Sequence, residues 1–208
     1  DVYKRQMEIR GVGTLLGQRQ HGHMQAVGYN LYCKMLNEAV LRLRGGKNVE
    51  DDDFETVADI QTDAFIPDSY IKNEALKLDI YRRIAAVENK EEQEDMLEEL
   101  IDRFGDPPTA VMNLLEITLL RGLAHSLYIT EVKARPDMIT FTMYEKAKIR
   151  VDKIPELLEQ MGGNMMFRHA EPAQFICRLQ GGRRRFSGTI LEITREVLEE
   201  MCVLREEE

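Results

Sequence analysis

The side chains best suited to chemistry gather near the start of the chain, in Met7-Glu8-Ile9-Arg10-Gly11-Val12-Gly13-Thr14-Leu15-Leu16-Gly17-Gln18-Arg19-Gln20-His21-Gly22-His23. Arg10 offers a planar, permanently charged fork of donors, and Gln20 an amide that both donates and accepts. Gly11, Gly13, Gly17 and Gly22 open positive-φ backbone shapes that other residues rarely adopt. A loop this rich in glycine and hydrogen-bonding side chains needs a contact to hold one shape, and a phosphate or another domain is the usual one. A nucleotide phosphate fails on spacing. Gly11, Gly13 and Gly17 give G-x-G-x-x-x-G, one residue longer than the dinucleotide fingerprint, with no βαβ pattern around it. Gly45-Gly46-Lys47-Asn48 lacks both the upstream glycine and the Ser/Thr of a phosphate loop. His21 and His23 have no third ligand nearby and read as surface histidines rather than a metal site.

Further along, carboxylates are plentiful but sit on helix faces, as Glu91, Glu92, Glu94, Glu98 and Glu99 do, with no pattern that buries one and shifts its pKa. No serine or cysteine has a legible base beside it. The expectation is a chain with no catalytic residues and no metal of its own. Arg183-Arg184-Arg185 follows the Gly181-Gly182 turn, where three guanidiniums can grip phosphate or an acidic partner, or simply be solvated.

The elements that must position these residues follow from apolar spacing. Met24, Val27, Leu31, Met35, Ala39 and Leu43 predict a helix running to Arg44 and stopped by Gly45-Gly46. Ala58, Ile60, Thr62 and Ala64 alternate with polar residues, which predicts a strand running into Phe65-Ile66-Pro67. Asp68 stands where an N-cap belongs, ahead of a helix over about 69–87. Two more helices are expected over about 91–103, closed by Gly105, and 109–127. Thr130–Arg135 and Met138–Tyr144 predict a hairpin around Pro136-Asp137. A short helix capped by Asp152, two strands (165–169 and 174–179) and a last helix opened by Ser187 complete the pattern. The fold class is α+β: an N-terminal loop and long helix, then a helical cluster with a small, mostly antiparallel sheet.

Composition narrows the class. Of 208 residues, 43% are hydrophobic and 31% charged, as in a protein with a core. Cys33, Cys177 and Cys202 are far apart and odd in number, which fits a reducing compartment better than a disulfide framework. No apolar run reaches the ~20 residues of a bilayer span, so a cytoplasmic protein with no membrane partner is expected. The net charge of −9 is unevenly spread, with residues 1–50 at +4 and residues 51–208 at −13. An acidic body does not bind nucleic acid by bulk charge. The sign changes at Glu50-Asp51-Asp52-Asp53-Phe54-Glu55, a run expected to be an exposed linker. The organisation expected is residues 1–50 as one unit, 51–58 as an acidic linker and 59–208 as a C-terminal domain.

These motifs together resemble the C-terminal part of the bacterial transcription-repair coupling factors, the Mfd family. Met7 to Gly17 followed by Gln20-x-Gly22-His23 is similar to the translocation motif that the family shares with the RecG helicase. Phe65-Ile66-Pro67-Asp68-x-Tyr70-Ile71, Tyr81-Arg82-Arg83-Ile84-Ala85 and Glu99-Leu100-Ile101-Asp102-Arg103-Phe104-Gly105 resemble the family's C-terminal regulatory domain. The resemblance runs over about residues 5–205, by motif in the first two thirds and by layout in the last.

The resemblance implies an ATP-driven, Mg-dependent translocase on duplex DNA that displaces stalled RNA polymerase and recruits the excision-repair protein UvrA. It places motor coupling on Arg10 and Gln20, with Gly11, Gly13 and Gly17 letting the loop thread between motor lobes. It places an autoinhibitory contact with the N-terminal UvrB-like module on Glu99 and Asp102, whose spacing of three puts both on one helix face. Two departures stand out. Gln6 occupies a position where the family has Asp, and no phosphate loop or acidic metal-binding box occurs, so the chain is expected to be a fragment that binds no ATP itself. The alternative is a free-standing α+β adaptor that binds another protein.

Overall fold

Residues 54–206 are described by a computed structural model. The loop carrying Arg10, Gly11, Gly13, Gly17 and Gln20 lies outside the described residues. So do His21, His23, Cys33, the helix expected from Met24 to Arg44, Gly45-Gly46 and the linker's Asp51–Asp53. Within the described part, alternation of buried and open side chains produces five strands: β1 (Val57–Ile60), β2 (Ile129–Ala134), β3 (Met138–Met143), β4 (Met165–Arg168) and β5 (Gln174–Arg178). Their order in the sheet is β1-β2-β3-β5-β4. β1 runs parallel to β2 and every other pairing is antiparallel. The parallel pair follows from the three helices inserted between β1 and β2, since only a long crossover can return a strand in the same direction.

The hairpin forms where expected. Arg135 and Met138 exchange backbone hydrogen bonds of 2.9 and 3.2 Å across Pro136-Asp137. β1, in contrast, is shorter than its alternation predicts. Its partner among the described residues, β2, ends at Ala134, so the ladder closes with Gln61 N–H on the Ala134 carbonyl (3.0 Å) and the chain turns. A strand with nothing to pair with has no reason to continue.

The described residues form five helices, α1 (Glu74–Ala85), α2 (Lys90–Phe104), α3 (Thr109–His125), α4 (Ile154–Gln160) and α5 (Ile190–Met201), of which α3 packs on β1 and β2 and α4 on β4. α3 is the central one, with Val111, Leu114, Leu115, Ile117, Leu120 and Ala124 all buried, and it meets β1, β2, α1, α2 and α5. Its apolar positions lie around most of its circumference, which is the pattern of a helix enclosed by its neighbours.

The helix starts differ from expectation at three caps. Asp68 does not cap α1. Its carboxylate forms an ion pair with the buried Lys77, Tyr70 N–H turns back to the Pro67 carbonyl (3.0 Å), and Asn73 caps the helix at Leu76 N–H (2.9 Å). Ser187 does not open α5. Thr189 does, in a reciprocal capping box with Glu192 (3.2 and 2.7 Å), which stabilises a helix start by about 1 kcal/mol. Asp152 lies in a short 3-10 turn, Val151–Lys153, and pairs with Arg150 (3.3 Å) instead of capping α4.

The part of the acidic run that is described is packed. Phe54 stacks between His125 (4.4 Å between ring centres) and Tyr144 (4.6 Å), and the Thr56 hydroxyl donates to the Ile129 carbonyl (2.6 Å). Phe54 to Ala58, assigned to the linker by charge, thus adjoin the fold through an aromatic ring and a buried hydroxyl.

One turn is fixed by a buried side chain. Asn164, 2% exposed, donates to the Arg178 carbonyl (2.9 Å) and accepts from Arg184 N–H (3.0 Å). A Cβ on Gly182 would lie 1.9 Å from Asn164 Oδ1, so only glycine fits. Gly182→Ala is therefore expected to expel Asn164 and leave its partners unpaired. The expected cost is about 1–3 kcal/mol, read from chemical denaturation; an unchanged midpoint would rule the clasp out.

Candidate protein-interaction site at the corner of α1 and α2

Two phenol hydroxyls bring three separate stretches of sequence to one corner. Ile66 N–H donates to the Tyr81 hydroxyl (2.8 Å), which ties the segment after β1 to α1. The Tyr70 hydroxyl is shared between the carbonyls of Gly105 (2.8 Å) and Leu100 (3.2 Å), which ties the same segment to the end of α2. Gly105 caps α2, so its carbonyl has no helical partner of its own. Gly105, at φ +82°, ends the helix there, as the sequence predicts.

The corner carries the first of the two residues expected to make an interface. Glu99 accepts from both terminal nitrogens of Arg83 in a two-pronged pair, and from Arg103 Nη1 at 2.6 Å. Its side chain retains 28% exposure. The Arg83 hydrogen bonds first, then those of Arg103, hold its carboxyl down to about 2 from the usual 4.5. This carboxylate is therefore not simply solvated on a helix face: one chain supplies both the acid and its two guanidiniums. The bidentate geometry with Arg83 is the strong form of such a contact. Arg103 also lies over the Phe104 ring, 5.0 Å from its centre.

Asp102, one turn along α2, is exposed and has no side-chain partner among the described residues. Ile101 beside it is 44% exposed. The structure thus separates two residues that the sequence treats alike. Glu99 is occupied and holds two arginines still, while Asp102 is a free carboxylate next to an open apolar side chain. The Arg83 contact is the part that sequence reasoning missed, because it joins helices sixteen positions apart. A signal existed in Glu99 and Arg103, a helical i, i+4 pair.

The remaining reactive groups are turned inward. Burial pushes the Cys177 thiol up to about 12 and raises that of Cys202 as well, so neither is poised as a nucleophile. Burial, then Arg121, lowers the pKa of His125, whose Nδ1 lies 3.1 Å from the Thr56 hydroxyl. Because that hydroxyl donates to Ile129, it accepts from His125, which places the imidazole proton on Nδ1. Of the three arginines after Gly181-Gly182, Arg184 is fixed to Glu196 (2.6 Å) and Glu200 (2.8 Å) on α5, and Arg183 and Arg185 stay exposed. Among the described residues no His, Cys, Asp and Glu side chains group as a metal site, and no helix is long and apolar enough to cross a membrane.

Residues 60–154 match the family model of the TRCF domain. A transcription-repair-coupling factor of Staphylococcus haemolyticus is 38% identical over 171 residues, 82% of this chain and 14% of that protein. One from Bacillus subtilis is 37% identical over 163 residues, 77% of this chain and 14% of that protein. The chain thus spans about 14% of the length of the relatives it matches. A crystal structure of the C-terminal domain of transcription-repair coupling factor superposes with a TM-score of 0.51 at 26% identity, covering 71% of this chain and 94% of that one. Through its TRCF domain the chain belongs to the transcription-repair-coupling factor family.

The depressed pKa of Glu99 fixes the sign of a pH effect. Its ion pairs contribute stability that is complete above about 4.5, the value of a free carboxyl, and that fades as the pH falls toward about 2. Glu99→Gln is expected to flatten this part of the acid-denaturation profile relative to the parent. An identical acid limb in parent and variant would show that the pairs add nothing.

Proposed function

We propose that this chain is the C-terminal portion of an ATP-dependent DNA translocase that couples transcription to nucleotide-excision repair. In this reading the whole protein displaces stalled RNA polymerase from duplex DNA and recruits UvrA. Residues 1–50 supply the loop through which ATP hydrolysis moves the motor, with Arg10 and Gln20 as its reporting side chains. The domain after them restrains the protein by packing on its UvrB-like module. The observation that supports this most directly is the 38% identity to a named transcription-repair-coupling factor across 82% of the chain. The location implied is cytoplasmic.

ATP and Mg²⁺ belong to the motor in this reading. Gly45-Gly46-Lys47-Asn48 lacks the hydroxyl that would meet the metal. The contribution of the chain is contact, not phosphate chemistry.

The corner geometry refines how that contact is made. A cationic partner approaching α2 meets Asp102 directly, but meets Glu99 only in competition with Arg83 and Arg103. Asp102 and Ile101 are then the contacting side chains, and Glu99 sets the shape of the surface around them. Truncating one partner of a desolvated charge pair weakens an interface more than losing a rim charge.

In the full-length protein, Asp102→Arg is expected to raise UvrA binding and ATP turnover about fivefold or more, the scale of an ordinary allosteric coupling; equal values for parent and variant would remove the restraint from this surface. Arg10→Ala or Gln20→Ala in the same protein should abolish translocation with ATP binding intact. A variant that still displaces polymerase at the parental rate would contradict the coupling role.

A further inference from the structure

The acidic body of the domain carries a basic patch that the reading above does not use. Asn164 gathers it: its backbone carbonyl accepts from Arg178 N–H (2.7 Å), and its side chain holds the Arg178 carbonyl and Arg184 N–H. Arg183 N–H is fixed to the neighbouring Gly162 carbonyl (3.0 Å). With Arg184 clamped to α5, its neighbours Arg183 and Arg185 are exposed, as is Arg178 at the end of β5. None of the three pairs with a carboxylate among the described residues, although the region from 51 to 208 carries a net charge of −13.

Through Arg178 the patch reaches the sheet face opposite the helices. Met138 pairs in register with Arg178, and Met166 with Ile176, so strand alternation puts all four on that face. Met138 is 37% and Met166 47% exposed.

We propose that Arg178, Arg183 and Arg185, with Met138 and Met166 beside them, form a docking surface for a protein segment that alternates carboxylates with apolar side chains. Charge complementarity selects carboxylates, because three unpaired guanidiniums extend from a stretch of backbone tied down at Arg178, Arg183 and Arg184. The methionines favour protein over nucleic acid, since exposed thioethers offer nothing to a phosphate backbone, whereas Arg and Met are both enriched where proteins meet. The net negative charge of the body opposes a polyanionic duplex as a whole, but a short acidic segment meets only the patch.

The test titrates the chain with three probes: a fluorescent peptide of glutamate and leucine, the same peptide with glutamine for glutamate, and a short DNA duplex. The glutamate peptide is expected to bind, more tightly at low salt, and the glutamine peptide to bind at least about tenfold more weakly. Arg178→Glu with Arg183→Glu and Arg185→Glu should weaken the glutamate peptide by about tenfold or more. Arg183→Ala with Arg185→Ala, which leaves the Arg184 clamp in place, should weaken it about threefold and guards against misfolding of the reversed variant. Met138→Ser with Met166→Ser should also weaken it about threefold or more. Equal affinity for the glutamine peptide, or no loss in the arginine variants, overturns the proposal. Tighter binding of the duplex than of the peptide reassigns the patch to nucleic acid. Self-association that the reversed variant loses would make the occupant a second copy of the chain and likewise overturn it.

Discussion

A helix enclosed on nearly every side cannot shift without disturbing all its neighbours, and α3 is in that position. Leu114, Leu115 and Leu120 are essentially inaccessible, and each such burial contributes about 1.5–3 kcal/mol. Because α3 meets β1, β2, α1, α2 and α5, it fixes the distance between the sheet and the outer helices. The parallel placement of β1 beside β2 depends on it too, since α1, α2 and α3 form the crossover between those strands. At its C-terminal end His125 receives the Phe54 ring, so the chain entering the domain is registered against the same helix.

The corner of α1 and α2 is a consequence of that enclosure. Apolar packing brings the helices together through Ile80, Ile84, Met96 and Leu100, but packing alone tolerates small slides. Directional contacts remove the freedom. Tyr81 holds Ile66, Tyr70 holds the carbonyl of the α2 cap Gly105, and Glu99 holds Arg83 across the helix pair. The three motifs that resemble the family's regulatory domain are therefore one structural unit, in which each supplies an atom that another needs. Such interlocking gives α2 a defined presentation, which is what a surface needs if it is to meet one partner in one register.

Periodic features of this fold could be read from the chain, and pairwise ones could not. Apolar spacing marks α2, α3 and α5, and turn residues mark Gly105 and Pro136-Asp137, because those signals are local. Helix starts demanded a finer rule. Thr189 is followed three residues later by Glu192, the complete capping pattern, whereas Ser187 is followed by Ile190. Asp68 was a plausible cap by type, but the buried Lys77 needed a counter-charge and took it. Glu99 and Asp102 look equivalent on a helical wheel; only the position of Arg83 on the neighbouring helix distinguishes them. The length of β1 was likewise decided by where β2 ends.

Glu99 with Asp102 and Arg184 with Arg183 and Arg185 follow the same physical logic. In each group one charged side chain is fixed to opposite charges of its own chain, and its neighbours remain exposed. A long side chain loses conformational freedom when it docks, and that loss weakens binding. Fixing the central member orders the backbone and narrows the positions its neighbours can take, before any partner arrives. Arg184 does this through two bonds to α5 and the Asn164 clasp on its amide, and Glu99 through two guanidiniums from different helices. Removing the fixed residue would not delete a contact with the partner. It would loosen the ones beside it, so its effect on affinity should exceed what its own exposed area suggests. A charge run that looks uniform in the sequence can thus divide into anchors and contacts, and the division is set by which residues find partners within the fold.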